Sequence, residues 1–94
     1  MDADFEWDPR KAAANQRKHR VTFEEAATAF ADPLSLTIPD PDHSAAEDLR
    51  YILIGRSVRG WLLVVSHAER DTAIRIVSAR PASRSERRQY EEGG

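Results

Sequence analysis

Apolar residues along this chain recur first at helical spacing and then at the two-residue spacing of strands. Phe5-Glu-Trp7 is long enough only for a short strand. Asp8-Pro9 reads as an N-cap followed by proline at the first helical position, which predicts a helix to about Lys18. Thr22-Phe-Glu-Glu25 has the spacing of a capping box. Behind it, Phe23, Ala26, Ala27 and Phe30 make an i, i+3, i+4, i+7 stripe, so a second helix runs until Asp32-Pro33 stops it. Leu34, Leu36 and Ile38 then alternate with Ser35 and Thr37, the pattern of a half-buried strand. After a polar, proline-containing loop at 39–48, three strands follow in hairpin succession: Arg50 to Arg56, Trp61 to His67, and Ala73 to about Ala79. Ser83-Arg-Ser-Glu86 is a second capping box and opens a C-terminal helix ending at Gly93-Gly94. The order β-α-α-β-β-β-β-α predicts a single α+β domain over residues 1–94. Two N-terminal helices pack on an antiparallel meander sheet, and a C-terminal helix follows.

The turns suggest registers. A two-residue turn at Val58-Arg59 sets Ile54 against Leu63 and Tyr51 against Ser66; a turn centred on Arg70-Asp71 sets Val65 against Ile76 and Ser66 against Arg75. One face then carries Ile52, Ile54, Trp61, Leu63, Val65, Ile74 and Ile76 as a core under the first two helices. The other face places Tyr51, Ser66 and Arg75 side by side. A one-residue slip would exchange the faces, and Arg75 on the helix-covered side would reveal it. Glu47, Asp48, Arg50, His67, Glu69, Arg70 and Arg75 gather at one end of this sheet, while Arg80 lies near Trp61 at the other. Arginines, acids and a histidine around a half-open face could bind and cleave a phosphodiester.

Composition adds limits. Ninety-four residues suit one core, and no cysteine is present for disulfides or thiolate metal sites, which fits a reducing compartment. The acidic start MDADFEWDPR lacks an apolar stretch of signal-peptide type, and the run Trp61–Val65 is too short to span a membrane. The expectation is a soluble, cytoplasmic protein. The formal charge is -2, but its distribution is blocky: residues 10–20 hold five Lys or Arg and no acid, and residues 32–48 hold five acids and no Lys or Arg. Twelve of the fourteen basic residues are arginine, the side chain suited to bidentate phosphate contact.

FEWDPRKAAANQRKH, VTFEEAATAFADPL, DLRYILIG and IRIVSARPASRSERRQYEE, in this order and covering Phe5 to Glu92, together resemble the BrnT family of toxins. The resemblance implies a RelE-like fold and the toxin component of a type II toxin–antitoxin system, a ribonuclease that blocks translation. It also implies a ribbon-helix-helix antitoxin of the BrnA type as partner, RNA as substrate, and operator DNA bound only through that antitoxin. Two positions depart from the family. Arg20 stands where a helix-capping glycine is usual, so it must take a strained φ or end the helix differently. Pro81 stands where a basic residue is common.

An RNase of this kind lets the ribose 2′-OH attack the neighbouring phosphate, giving a 2′,3′-cyclic phosphate, and needs cations where charge builds up on phosphorus. Arg75 and Arg80, in IRIVSAR, match the family segment that would supply them, and Arg70 matches a Glu-Arg pair before the last strand. His67 is a candidate general acid or base, with Glu47 its rival. Lys11 and Lys18 on the first helix, and Arg84 and Arg87 on the last, are candidate RNA-backbone contacts. Tyr90 could stack on a base or cover the second sheet face. His19, His43 and His67 lack metal-ligand spacing, so neither metal nor cofactor is expected. The alternative is a non-catalytic α+β binding module whose arginine-rich face docks a partner protein or nucleic acid. A DNA-binding repressor is disfavoured, since no helix-turn-helix pattern is present. Five arginines from Arg75 to Arg88 would make one positive field, able to draw RNA and equally an acidic antitoxin segment.

Overall fold

The signals at the helix starts become real caps in the computed structural model, which describes residues 4–45, 48–70 and 72–93. Strand β1 (Asp4–Glu6) leads into helix α1 (Pro9–His19), whose N-cap Asp8 accepts from the Arg10 N–H at 2.8 Å. Helix α2 (Phe23–Thr28) starts at Thr22, which accepts from the Glu25 N–H at 3.0 Å, and passes into a 3-10 turn at Ala29–Ala31. Strands β2 (Leu36–Pro39), β3 (Arg50–Arg56), β4 (Leu62–Arg70) and β5 (Ala73–Pro81) follow, then helix α3 (Arg84–Glu91). Ser83 and Glu86 form a complete capping box at α3. At α2 the box is half built, because the Glu25 carboxylate instead accepts from the Ser57 hydroxyl at 2.8 Å.

The fold is α+β, with five strands in the order β1-β5-β4-β3-β2. β2, β3, β4 and β5 pair antiparallel, so residues 50–79 do form a meander, while β1 joins β5 in parallel. Helices α1 and α2 cover one face. There Val21, Phe23, Ala26 and Ala29 pack on Leu53, Leu63, Val65, Ile76 and Ala79. Helix α3 covers part of the other face, where Tyr90 packs with Ile54, Leu62 and Val64, beside Ile38 and Ile52.

This division corrects the expected core. Leu63, Val65 and Ile76 lie under the first two helices, but Ile52 and Ile54 belong to the α3 face, and Trp61 is exposed. The cause is one residue in one turn. Ser57 N–H donates to the Trp61 carbonyl and Gly60 N–H to the Ser57 carbonyl, so the β3–β4 loop has three residues, Val58, Arg59 and Gly60. Gly60 takes φ +88, the left-handed conformation that ends such a loop. Ile54 therefore faces Val64 and Gly55 faces Leu63, which moves β3 to the opposite parity. Gly55 lies so close to α2's end that a Cβ would come within 2.8 Å of the Ala29 carbonyl oxygen.

At the second hairpin Arg70 faces Ala73, and Asp71, the expected second turn residue, lies outside the described residues. That shift keeps the expected side for Ile76 and for Arg75, which lies away from α1 and α2. A bulge then places Ser66 opposite Ser78 and His67 opposite Ile76, leaving Val77 unpaired in register. Past β1, the edge of β5 is closed by Asn15 of α1. Its side chain donates to the carbonyls of Ala79 (2.8 Å) and Val21 (3.0 Å) and accepts from the Ala79 N–H (3.0 Å), so one buried amide satisfies the strand edge.

Candidate functional site

Cross-strand register builds one row on the sheet face that α1 and α2 leave uncovered. Arg50 faces Ala68, Ala68 faces Arg75, and Arg75 pairs with Glu6 of β1. Ala68, itself buried, is the residue between the two arginines in this row. In the next row Ser66 faces Ser78. The Arg75 side chain bonds the Glu6 carboxylate at 3.1 Å, and that of Arg50 bonds Asp48 at 3.0 Å. Both arginines remain about a third exposed, at 32% and 28%. Single, solvent-accessible ion pairs of this kind contribute little, roughly 0–1 kcal/mol, so an incoming phosphate can displace their carboxylates.

Arg80 differs. Its two terminal nitrogens each donate to a Glu86 oxygen at 2.7 Å, a bidentate pair. Glu86 also accepts from the Ser83 N–H at 2.8 Å. The Arg80 bond, opposed by burial and aided by Ser83, pulls the Glu86 carboxyl down to about 2. Arg80 thus ties the end of β5 to the start of α3.

The structure separates other residues that the expected register had grouped. His67 faces the helix-covered side, is 2% exposed, and packs edge-on against Phe30 at 4.8 Å and stacked on Tyr51 at 5.9 Å. Burial lowers its pKa, despite the Val65 carbonyl and Glu69, so the ring is neutral at pH 7. The trio Tyr51, Ser66 and Arg75 does not form. The slip at Gly60 sends Tyr51 to the helix side and leaves Ser66 beside Ser78. Arg70 ends β4, exposed. Glu47 lies outside the described residues.

Lys11 and Lys18 are exposed on α1 and share a cleft of about 250 Å³ with Val77 and Ser78 of the β5 bulge. Arg84 and Arg87 are exposed on α3. Tyr90 is buried, and its hydroxyl donates to Asp32 at 2.7 Å, while Arg56 lies over its ring at 5.6 Å. Burial raises the Asp32 pKa, but the Tyr90 hydroxyl and the N–H groups of Arg56 and Leu34 outweigh it and hold the carboxyl below its usual value. Among the described residues, no three His, Asp or Glu side chains group where they could hold a metal ion. Glu6 is the functional candidate that sequence reasoning missed. Its neighbour Phe5 is visibly apolar, but parallel pairing with a strand about seventy residues away has no local signature.

A family model described as the ribonuclease toxin, BrnT, of type II toxin–antitoxin systems matches residues 7–86. No curated protein matches. Among solved structures, the chain is similar to the 1.1 Å crystal structure of the Brucella abortus ribonuclease toxin, BrnT. The TM-score is 0.68 and the identity 24%, covering 87% of this chain and 99% of that one. At this identity the likeness is one of fold.

Proposed function

The chain belongs to the BrnT family of ribonuclease toxins of type II toxin–antitoxin systems, and from that premise we propose that it is a metal-independent endoribonuclease acting through the Arg50–Ala68–Arg75 row. The observation that carries this reading is a pair of arginines, each about a third exposed, flanking Ala68 in one cross-strand row, each held among the described residues by one displaceable carboxylate. Arg50 and Arg75 bind the scissile phosphate and stabilise charge on the phosphorane, as preorganised donors do. Glu6, released from Arg75 when phosphate arrives, accepts the 2′-OH proton. The 2′-oxygen forms a bond to phosphorus, the bond to the 5′-oxygen breaks, and that oxygen takes a proton from solvent. The products are a 2′,3′-cyclic phosphate and a 5′-hydroxyl.

His67 sits behind the sheet and supports this site by packing, and Arg80 supports it by fixing α3. Arg70 extends the positive face toward the hairpin tip, while Lys11, Lys18, Arg84 and Arg87 track the RNA backbone. Glu47 is the alternative proton acceptor, testable by Glu47→Gln beside Glu6→Gln. A RelE-type relationship of the fold, inhibition of translation in the cytoplasm, and a ribbon-helix-helix antitoxin that alone carries operator binding complete the proposal. An acidic segment of that antitoxin would occupy the same arginine face, since a phosphate mimic binds where phosphate binds.

Purified protein should degrade RNA in excess EDTA and leave cyclic-phosphate ends. Activity abolished by chelation, or products with 5′-phosphate and 3′-hydroxyl ends, would contradict the mechanism.

A further inference from the structure

The hairpin between β3 and β4 presents an exposed tryptophan on a braced turn. The Ser57 hydroxyl donates to Glu25 of α2 at 2.8 Å, and the Val58 N–H donates to the Thr28 hydroxyl at 2.9 Å, so α2 holds the turn from below. Trp61 is nevertheless 59% exposed. It walls a cleft of about 290 Å³ with Leu63 and Pro81, rimmed by His19, Arg20 and Arg59. Among the described residues Glu25 is the one acid lining it, and its carboxylate is already occupied by Ser57 and lies 3.9 Å from the Arg59 guanidinium. Arg20 carries a positive φ of 60, a conformation in which glycine bears no strain, yet an arginine stands there.

The cleft lies on the side of the sheet that α1 and α2 cover, opposite Arg75, and adjoins two other depressions lined by basic side chains. His19 lines both it and the α1–β5 cleft of Lys18 and Ser78, and Arg20 lines both it and a depression at Gln16 and Arg17. A basic track therefore runs along α1 from Lys11, past Ser78 of β5, to the Trp61 cleft.

We infer that this track carries single-stranded RNA and that the Trp61 cleft is a base-stacking subsite at its far end. The inference rests on the ribonuclease reading above. An indole face stacks on any base, and guanidinium groups at the rim hold the flanking phosphates. A positive rim around one aromatic ring fits a nucleotide better than the apolar side chains of a protein partner.

The test is fluorescence anisotropy with labelled, uncleavable 2′-O-methyl RNA, a hexanucleotide against a dinucleotide. Wild-type protein should bind the hexamer more tightly. Trp61→Ala should lose about tenfold in hexamer affinity, so that it binds the two lengths alike, and Trp61→Phe should recover most of the loss. Arg59→Ala, at the exposed rim, should also weaken hexamer binding and flatten its salt dependence by about one unit of slope. A folded Trp61→Ala protein that binds the hexamer like wild type overturns the subsite while leaving the ribonuclease reading intact. Loss of antitoxin binding with RNA affinity kept also overturns it, making the cleft a protein interface. If wild-type protein neither binds these oligomers nor cleaves RNA, both readings fall.

Discussion

Arg20 combines strain and position in a single residue. Its φ of 60 and ψ of 30 cap α1, with its N–H bonded to the Gln16 carbonyl, and a left-handed conformation costs a residue with a Cβ roughly 1 kcal/mol. Of the two ways in which an arginine could end this helix, the strained one is realised. Arg20→Gly should therefore raise the free energy of unfolding by about 1 kcal/mol in a denaturant titration, while weakening hexanucleotide binding through the lost rim charge. A variant no more stable than wild type would mean that the arginine side chain repays its own strain. Glu25 teaches the complementary lesson. Its spacing from Thr22 reads as a capping box, but a hydroxyl thirty-two residues away claims its carboxylate, and local sequence holds no sign of that.

At the level of elements, α3 is attached by two acid-sensitive locks, Glu86 to Arg80 and Asp32 to Tyr90. Both carboxyl pKa values are lowered in the folded protein, so their stabilisation is full above the unfolded values and is lost as pH falls through the folded ones. His67 adds an earlier step. Its pKa is lowered from 6.5 by burial, so the unfolded chain takes up a proton more readily and stability declines as pH drops below that value. Denaturation followed against pH should show one decline starting near 6.5, flattened by His67→Phe, and a second between 4.5 and about 2, flattened by Glu86→Gln. Unchanged profiles in those variants would remove both assignments. The elements themselves were legible, because caps, stripes and strand alternation are local. What failed was the register of β3, decided by whether Gly60 joins the turn, and with it the sides of Ile52, Ile54 and Tyr51. The parity of β4 and the first half of β5 survived, so Arg75 was placed on the correct face although its neighbours were not.

For the molecule as a whole, the arginines divide by partner. Arg80 is spent on holding α3, Arg84 and Arg87 are exposed on α3, and Arg50 and Arg75 share the open row with displaceable carboxylates. Under the proposed reading, displacing those carboxylates lets a chain of net charge -2 present one positive surface to an RNA backbone or to an acidic antitoxin segment. The most direct test compares Arg75→Ala with Arg80→Ala, measuring cleavage of one RNA in EDTA alongside the melting temperature. Arg75→Ala should lose on the order of a hundredfold or more in cleavage rate with little change in melting temperature. Arg80→Ala should instead melt several degrees lower, on the order of 5 °C, as one charge-assisted pair in a domain of this size implies. An Arg75→Ala protein that cleaves at the wild-type rate would contradict the site.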